Sequence, residues 1–488
     1  MSEEIKEVIE SEERKGRVIR PYCHSMVKEL LTQTELLLQL TRLHHGPVHL
    51  VLPQIMDENI TRMNSFFEAY EFETAIHYTM KPNKSDVFAR QAFKNGINID
   101  VSSLAELQAA LGAGFKGEQI GCTNTKNRQY LWLALQHDCL ISIDNQLELE
   151  LIIEMASQRR EANKPIRLLL RIADLQPLDR QFKSKSSKFG IPVGELPNIY
   201  NLLREHPVLS FEGFHFHNDN RLGDLQGAYV EHVLRLMEEA HTQGFEPEII
   251  NIGGGMRDRL LEDPNEWAAF LELIEKGLIL HQETHTWHGH GYGMTLNDRG
   301  RVSGREKIQG NMSPPPYNKF LTEALEHDQI RERPLNDIIA ENLYTLMVEP
   351  GNALLQQCGI TLLPVKGVKL DSDGNQLLMV DANVYNISSW NIEPLADPVI
   401  ISKDQNSKQF EAYLIDNVCN ERGLLGKRKI TFDHTPSEGD LVCFINTAAY
   451  VSDFEDASPH RHPRGAKFVI EKNDNGWSFC SEDQYWPF

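Results

Sequence analysis

The sequence predicts an α/β protein made of a closed (β/α)8 barrel followed by an antiparallel β-barrel domain. Strand-like and helix-like segments alternate from about residue 46 to residue 255, which is typical of a parallel sheet with helices outside it. At least seven of these segments read as strands, which favours a closed barrel over an open doubly wound sheet. From Val348 onward the pattern changes to short apolar runs separated by turns, which indicates antiparallel sheet.

The elements can be assigned in chain order. Leucines at helical spacing predict a helix over about 25–44. Strands are expected at 49–53, 73–80, 97–101, 119–122, 140–143, 166–173, 209–216 and 248–253, and helices at 57–70, 85–94, 103–112, 127–137, 146–157, 194–205 and 223–242. Ser103 and Glu106 form a Ser-x-x-Glu capping box that supports one of these helices.

The same pattern suggests the domain limits. We expect an N-terminal helical extension over 1–45, the (β/α)8 barrel over 46–349 and the β domain over 350–488. Residues 284–317 are rich in glycine, proline and polar residues, so they are interpreted as a long insertion in the barrel. Long loops are often functional, and this one is expected to cover the site.

Composition excludes several classes of function. The 488 residues carry a net charge of −21, which argues against nucleic-acid or anionic-membrane binding. No apolar run is long enough to span a bilayer, and the charged N-terminus lacks the apolar core of an export signal. The seven cysteines are scattered and none forms a CxxC pair, which argues against a metal site or a disulfide framework. A reducing cytoplasm is the expected location.

Lys81 is the first candidate for chemistry. It ends the strand-like run Ala75–Met80 and precedes Pro82, and residues before proline are pushed toward extended geometry. Its amine should therefore lie at the carboxyl end of a barrel strand, where such barrels gather their active sites. The alternative is a solvated surface lysine, because most lysines lie on the surface and have no catalytic role.

Three further motifs also follow strands. Asn251-Ile-Gly-Gly-Gly255 could direct backbone N–H groups at an anion, or be a plain tight turn. His215 and His217 alternate along one side of a strand, so they are either core residues, metal ligands or a ring stacked on a flat cofactor. Glu349 ends an apolar run, so it is either a buried carboxyl with a cationic partner or a proton, or part of a surface turn. Cys419 and Tyr450 carry little weight by themselves.

In this order, the motifs resemble the fold-type III pyridoxal 5'-phosphate (PLP) enzymes. The similarity covers roughly residues 46–470 and is strongest to the diaminopimelate and ornithine decarboxylases, which have an alanine racemase-like fold. His-Tyr-Thr-Met-Lys-Pro-Asn (77–83) is similar to the family's Tyr-Ala-Val-Lys-Ala-Asn, which aligns Lys81, and not Lys84, with the Schiff-base lysine.

The resemblance implies a role for each residue. PLP-dependent decarboxylation by a homodimer is the expected activity. The residues expected to bind the cofactor are Lys81, Asp100, His217 (stacked on the ring), Asn220, Gly253, Gly254 and Gly255 (at the phosphate), Glu349 (at the ring nitrogen), Gly351, Asn352 and Tyr450 (at the phosphate). Cys419 is expected to act as a proton donor from the partner subunit, beside Asn420 and Glu421 at the substrate.

Two departures from the family pattern concern the substrate. Asn352 replaces the arginine that usually follows Glu-Pro-Gly, and Asn420 stands where an acid often follows the cysteine, with Glu421 one position later. With the insertion, these departures resemble a branch active in siderophore and other specialised biosynthesis. An amino-acid racemase or epimerase is the first alternative, and a non-catalytic decarboxylase-like binding protein is the second.

Overall fold

The computed structural model describes residues 16–159, 164–176, 187–218, 222–305, 314–328, 332–387, 396–404, 408–421, 423–453 and 458–487. These residues form two compact units, each assembled from distant parts of the chain. One unit takes its residues from Met56–Asp258, Pro315–Leu355 and Asp483–Phe488, and the other from Met1–Ile55, Arg259–Pro314 and Gln356–Glu482. The three domain limits expected from the sequence remain a prediction.

The strands and helices are numbered along the described residues. The strands are β1 (Val48–Val51), β2 (Thr74–Thr79), β3 (Asn98–Val101), β4 (Ile120–Cys122), β5 (Leu140–Ile143), β6 (Ile166–Arg171), β7 (Leu209–His215), β8 (Ile249–Asn251), β9 (Thr295–Leu296), β10 (Val302–Ser303), β11 (Thr345–Val348), β12 (Gly359–Leu370), β13 (Gln376–Val380), β14 (Val399–Ile401), β15 (Phe410–Ile415), β16 (Ile430–Phe432), β17 (Leu441–Ile445), β18 (Ala466–Asn473) and β19 (Gly476–Ser481). The helices are α1 (Ser25–Leu31), α2 (Thr34–His44), α3 (Pro53–Phe67), α4 (Asp86–Lys94), α5 (Leu104–Ala113), α6 (Arg128–Gln136), α7 (Gln146–Ala156), α8 (Leu196–Glu205), α9 (Gly223–Thr242), α10 (Pro264–Leu280), α11 (Tyr317–Leu325) and α12 (Leu335–Glu341).

The first unit contains the closed barrel that the sequence predicts. Its eight strands run in the order β11-β2-β3-β4-β5-β6-β7-β8, and all neighbouring pairs are parallel. The strand interiors are buried, which is why β4 and β5 are predominantly apolar in the sequence. Side chains of Ser85, Ser103, Asn127 and Asn145 accept hydrogen bonds from first-turn amides of the helices that they cap.

The strand near residue 50 belongs to the other unit. β1 pairs with β12 and β18, and β11 closes the barrel between β8 and β2. Four consecutive buried residues indicate a strand but not its partners. The sequence pattern therefore could not show that β1 lies outside the barrel.

The second unit is built on a nine-stranded sheet in the order β16-β15-β13-β12-β1-β18-β19, with β17 pairing both β12 and β14. Most of these pairs are antiparallel, as expected, but β1 with β18 and β13 with β15 are parallel, so the sheet is mixed. One apolar core cluster lies on β12, β13, β15, β16 and β17.

Part of the 284–317 insertion is attached to this second unit. The Trp287 amide donates to the Lys427 carbonyl at 2.7 Å, and the Lys429 amide donates to the His285 carbonyl at 2.9 Å. The Trp287 ring meets Tyr413 edge-on at 5.0 Å. Residues 306–313 lie outside the described chain, so the expected covering role stays a prediction.

Within the described ranges, none of the helices combines the length and the apolar character that crossing a membrane requires.

Candidate active site

Lys81 follows the carboxyl end of β2, as predicted, and its strand is tied to the Glu349-Pro-Gly turn. The Thr79 hydroxyl donates to the Glu349 carbonyl at 3.0 Å, and the Thr79 amide donates to the Pro350 carbonyl at 3.3 Å. A Cβ on Gly351 would lie 2.5 Å from Cγ of Pro82, so this turn accepts glycine but no larger residue without a shift. The sequence motifs around Lys81 and Glu349 are therefore in direct contact.

The positive charge of Lys81 acts on three carboxyl groups of the barrel unit. Burial raises the pKa of Asp100, of Glu106 and of Glu349, and in each case the positive charge of Lys81 acts in the opposite direction. Lys81 itself is exposed, whereas Asp100 and Glu349 are buried. An accessible amine therefore acts on buried acids at the carboxyl end of the barrel.

Asp100 is the more deeply buried of the two acids. Its Oδ2 atom accepts a hydrogen bond from the Thr123 hydroxyl at 3.2 Å, while Oδ1 has no partner among the described residues. Burial and the neighbouring charge of Glu349 raise the pKa of Asp100 well above its usual range. A buried polar atom without a partner is uncommon, and here it indicates capacity for one more donor.

Glu349 lies among polar groups of β7 and β8. Asn251 Nδ2 donates to Glu349 Oε1 at 2.7 Å, and His215 Nε2 lies 3.6 Å from the same oxygen. Burial raises the pKa of Glu349, and the Asn251 bond and the charge of Arg171 partly offset that effect. A cationic donor would stabilise the ionised form of this carboxyl further.

The three glycines after β8 pack against His217 and Glu349. Gly253 has φ +68°, and a Cβ there would lie 2.7 Å from Nδ1 of His217. A Cβ on Gly254 would lie 2.6 Å from the Glu349 carbonyl oxygen. The Gly254 amide donates to His217 Nδ1 at 3.1 Å, which fixes the imidazole to the loop. Glycine is therefore required for the loop to approach His217 and Glu349 closely. A plain tight turn would not need this contact.

The two histidines of Phe214-His-Phe-His217 differ in their surroundings. His215 is buried and bonds Ser142 through Nδ1 at 2.7 Å, whereas His217 is half-buried beyond the end of β7. No group of three or more His, Cys, Asp or Glu side chains in the described ranges is arranged to hold a metal ion. Asn220, also predicted at the site, lies outside the described residues.

The remaining predicted residues are divided between the units. Gly351 and half-buried Asn352 follow Glu349 in the barrel unit. Cys419, Asn420 and Glu421 are exposed on a loop of the sheet unit, and Tyr450 is half-buried there at φ +62°. All seven cysteines fall in described stretches as free thiols, and Cys419 is the exposed one.

Sequence reasoning missed several polar residues of the barrel. Arg171 is buried at the end of β6, its guanidinium lies 4.7 Å from the Phe189 ring, and its charge lowers the pKa of His215 and of Glu349. Ser142 and Thr123 were also missed. An arginine closing the apolar run Ile166–Arg171 was the available signal, because strand ends meet at one face of a barrel.

Comparison with known proteins identifies the group to which this barrel belongs. Residues 56–285 match the family model described as "Pyridoxal-dependent decarboxylase, pyridoxal binding domain". This match and the relatives below support a fold-type III PLP-dependent decarboxylase. The homologues are PLP-dependent amino-acid decarboxylases, and the matched family implies PLP as the cofactor.

Individual proteins are similar to the chain over different lengths. The chain is 26% identical to the uncharacterized protein y4yA of Sinorhizobium fredii, over 94% of this chain and 96% of that one. It is 27% identical to the diaminopimelate decarboxylase of Bacillus subtilis over 44% of its own length, and this match spans 51% of the Bacillus enzyme. The solved structure of a diaminopimelate decarboxylase from M. jannaschii in complex with L-lysine shares the fold, with a TM-score of 0.66, 17% identity and coverage of 91% and 90% of the two chains.

The residues present fit PLP. Glu349 is a buried acid whose ionised form would gain from a cationic ring N–H, and Asp100 Oδ1 can accept one more hydrogen bond. Gly253 and Gly254 leave no room for side chains beside His217 and Glu349. The Lys81 side chain is exposed, and its charge favours the ionised forms of both acids.

Proposed function

We propose that this protein decarboxylates an amino acid or an amino-acid conjugate with PLP held covalently by Lys81. The observation that carries the proposal is the position of Lys81: its charge reaches Asp100, Glu106 and Glu349 at the carboxyl end of the barrel. Lys84 is exposed immediately before the Ser85 helix cap, which is an ordinary surface position for a lysine.

The other barrel residues would orient the cofactor. Glu349 would hold the ring nitrogen in its protonated form, since a carboxylate there favours the charged state. His217 would pack against the ring, and its bond to the Gly254 amide supports that orientation. Gly253, Gly254 and Gly255 would present backbone amides to the phosphate, while Asp100, Asn220, Gly351 and Asn352 would complete the contacts.

When bound, PLP supplies an electron sink for the electron pair that remains on the substrate as CO2 leaves. The chain itself must then deliver a proton to the substrate carbon. Cys419 is proposed as that donor because its thiol is exposed on a loop, where it can approach a second subunit. We therefore propose a homodimer in which Cys419, with Asn420 and Glu421, enters the partner's site, and in which Tyr450 reaches the phosphate.

Substrate choice is proposed from the departures in sequence. Glu421 carries an exposed carboxyl one position later than the family's usual acid. It would therefore bind a cationic group at the far end of the substrate side chain from a different position. Asn352 offers an uncharged amide where a guanidinium is usual, so anionic parts of the substrate would be held less strongly. These differences support an unusual or conjugated amino acid, in siderophore or other specialised biosynthesis, over lysine, ornithine or diaminopimelate. A cytoplasmic location is proposed from the seven free thiols.

Reconstitution followed by product analysis tests the proposed reaction. Protein refilled with PLP should release CO2 from at least one member of a panel of amino acids with free and acylated side chains. The Lys81→Ala variant should release none, while Lys84→Ala, the matched control, should retain activity. A racemised product without CO2 would establish the racemase alternative instead, and failure to bind PLP would leave only the non-catalytic binding protein.

A further inference from the structure

A line of buried polar contacts runs from β5 to the Glu349 carboxyl. Ser142 Oγ lies 2.7 Å from His215 Nδ1, and His215 Nε2 lies 3.6 Å from Glu349 Oε1. Asn251 Nδ2 lies 2.7 Å from that same oxygen. All four residues are at least nine-tenths buried, and His215 Nε2 has no hydrogen-bond partner among the described residues. His215 is not needed for any role proposed above.

The hydrogen bonds show which atoms of Asn251 and His215 carry the hydrogens that face Glu349. The Gly253 amide can only donate, and it donates to Asn251 Oδ1 at 2.8 Å. The Asn251 amide group must therefore face Glu349 with its NH2, so Oε1 is an acceptor. A lone pair on His215 Nε2 would repel this oxygen, whereas an N–H there would be attracted to it. Nδ1 then lacks a proton and accepts from the Ser142 hydroxyl.

We propose that Ser142 and His215 are positioning residues that direct an N–H at Glu349 and keep its carboxyl ionised for the cofactor's ring nitrogen. This inference rests on the proposed function, because it assigns Glu349 to that nitrogen. The separation of 3.6 Å between His215 Nε2 and Glu349 Oε1 slightly exceeds that of a hydrogen bond. His215 would therefore stabilise the ionised carboxyl through the attraction between the N–H dipole and the buried negative charge.

Charged neighbours on the surrounding strands favour the same arrangement. His215 faces Arg171 of β6, His217 beyond β7 and Lys126 after β4, and burial with these groups lowers its pKa well below the usual range. The imidazole is therefore neutral, and only one of its two ring nitrogens carries a proton. Glu349 faces Arg171, Lys81 and Asp100, of which the two cations favour its ionised form and the acid opposes it.

The tautomer can be tested without cofactor. In apo-protein labelled with 15N-histidine, the His215 signals should show a protonated Nε2 and an unprotonated Nδ1. Ser142→Ala should raise the fraction of the Nδ1-protonated tautomer, because unprotonated Nδ1 loses the hydroxyl that donates to it. A protonated Nδ1 in the wild type would overturn the assignment.

The effect on the cofactor is tested with 15N-labelled PLP at its ring nitrogen. The wild type should show a protonated nitrogen, and His215→Leu should reduce the ratio of protonated to unprotonated nitrogen by about tenfold, the effect of one pKa unit. His215→Gln should recover most of the loss, because its amide can offer a donor near the position of Nε2. In turnover, kcat should fall in His215→Leu while KM changes little.

A buried histidine of the sheet unit provides the control. His49 is equally buried and bonds the Thr361 hydroxyl through Nδ1 at 2.9 Å. His49→Leu should lower stability without altering the ring-nitrogen signal. A His215→Leu protein that binds PLP with an unchanged nitrogen signal would refute the inference alone, whereas a wild type that binds no PLP would refute the proposed function as well.

Discussion

Replacing Lys126 by methionine should destabilise the barrel unit strongly. The Lys126 ammonium lies 3.0 Å from Glu148 Oε2 and donates to the Asn124 and Ser142 carbonyls, both at 2.6 Å. The side-chain exposures of Lys126 and Glu148 are 0% and 4%, so water cannot replace the missing charge. Lys126→Met would leave the Glu148 carboxylate buried without its cation.

The size of the effect follows from these contacts. Two charges 3.0 Å apart attract by about 5.5 kcal/mol at an effective dielectric constant of about 20. The carboxylate would keep two backbone donors, the Lys126 amide at 2.6 Å and the Asp144 amide at 3.1 Å, which offset part of this loss. Breaking a buried pair by removing one partner typically costs about 3–5 kcal/mol, and we expect a value in that range.

Urea unfolding followed by circular dichroism would measure this change. Arg128 and Glu154 provide a matched control, since they also form an ion pair at 2.9 Å but with side-chain exposures of 55% and 56%. Arg128→Met should cost about 0–1 kcal/mol. The double variant Lys126→Met/Glu148→Gln should recover much of the loss of the single variant, because no uncompensated charge remains and the glutamine oxygen can still accept from a backbone amide. Equal effects of Lys126→Met and Arg128→Met would show that burial does not strengthen the Lys126–Glu148 pair.

Two further predictions concern the glycine loop and the barrel interior. Gly253 has φ +68° and its Cβ would lie 2.7 Å from His217 Nδ1, so Gly253→Ala should weaken PLP binding in equilibrium dialysis. Gly96 has φ +71° but nothing within 4 Å of its Cβ, so Gly96→Ala should cost a similar backbone strain of about 1–2 kcal/mol and leave PLP binding intact. Equal losses of PLP binding in the two variants would contradict this prediction. Burial lowers the pKa of His77 from 6.5 to about 4, so the unfolded chain takes up the proton first, and stability is lost as the pH falls from 6.5 to about 4. His77→Leu should flatten the pH dependence of urea unfolding over that interval by up to about 3 kcal/mol, and an unchanged slope would show that His77 is not held neutral.

Local patterns in the sequence were sufficient for the barrel and for its strand ends. Lys81, Gly253 and Glu349 all follow strands whose apolar runs are visible in the sequence, and parallel strands bring their carboxyl ends to one face. The placement of β1 was not predictable in the same way, because its partners β12 and β18 lie more than 300 residues away. Sheet membership depends on such pairing and not on the strand's own residues.

The supporting contacts of the site were the harder part to predict. Ser142 and His215 are 73 positions apart and come together only because β5, β6 and β7 are neighbours in the barrel. Arg171 had a sequence signal in its strand-end position, but its effect on Glu349 depends on burial, which the sequence does not give. The roles of Cys419 and Tyr450 stay predictions, since they require a second subunit and a bound cofactor.

Identification of the lysine that holds PLP is the decisive test of the proposed function. Borohydride reduction of the PLP-reconstituted wild type, followed by peptide mass mapping, should place the pyridoxyl group on Lys81. The Lys84→Ala variant should be labelled to the same extent, and Lys81→Ala should lose the label. A pyridoxyl group on Lys84, or on a lysine outside the barrel, would contradict the account.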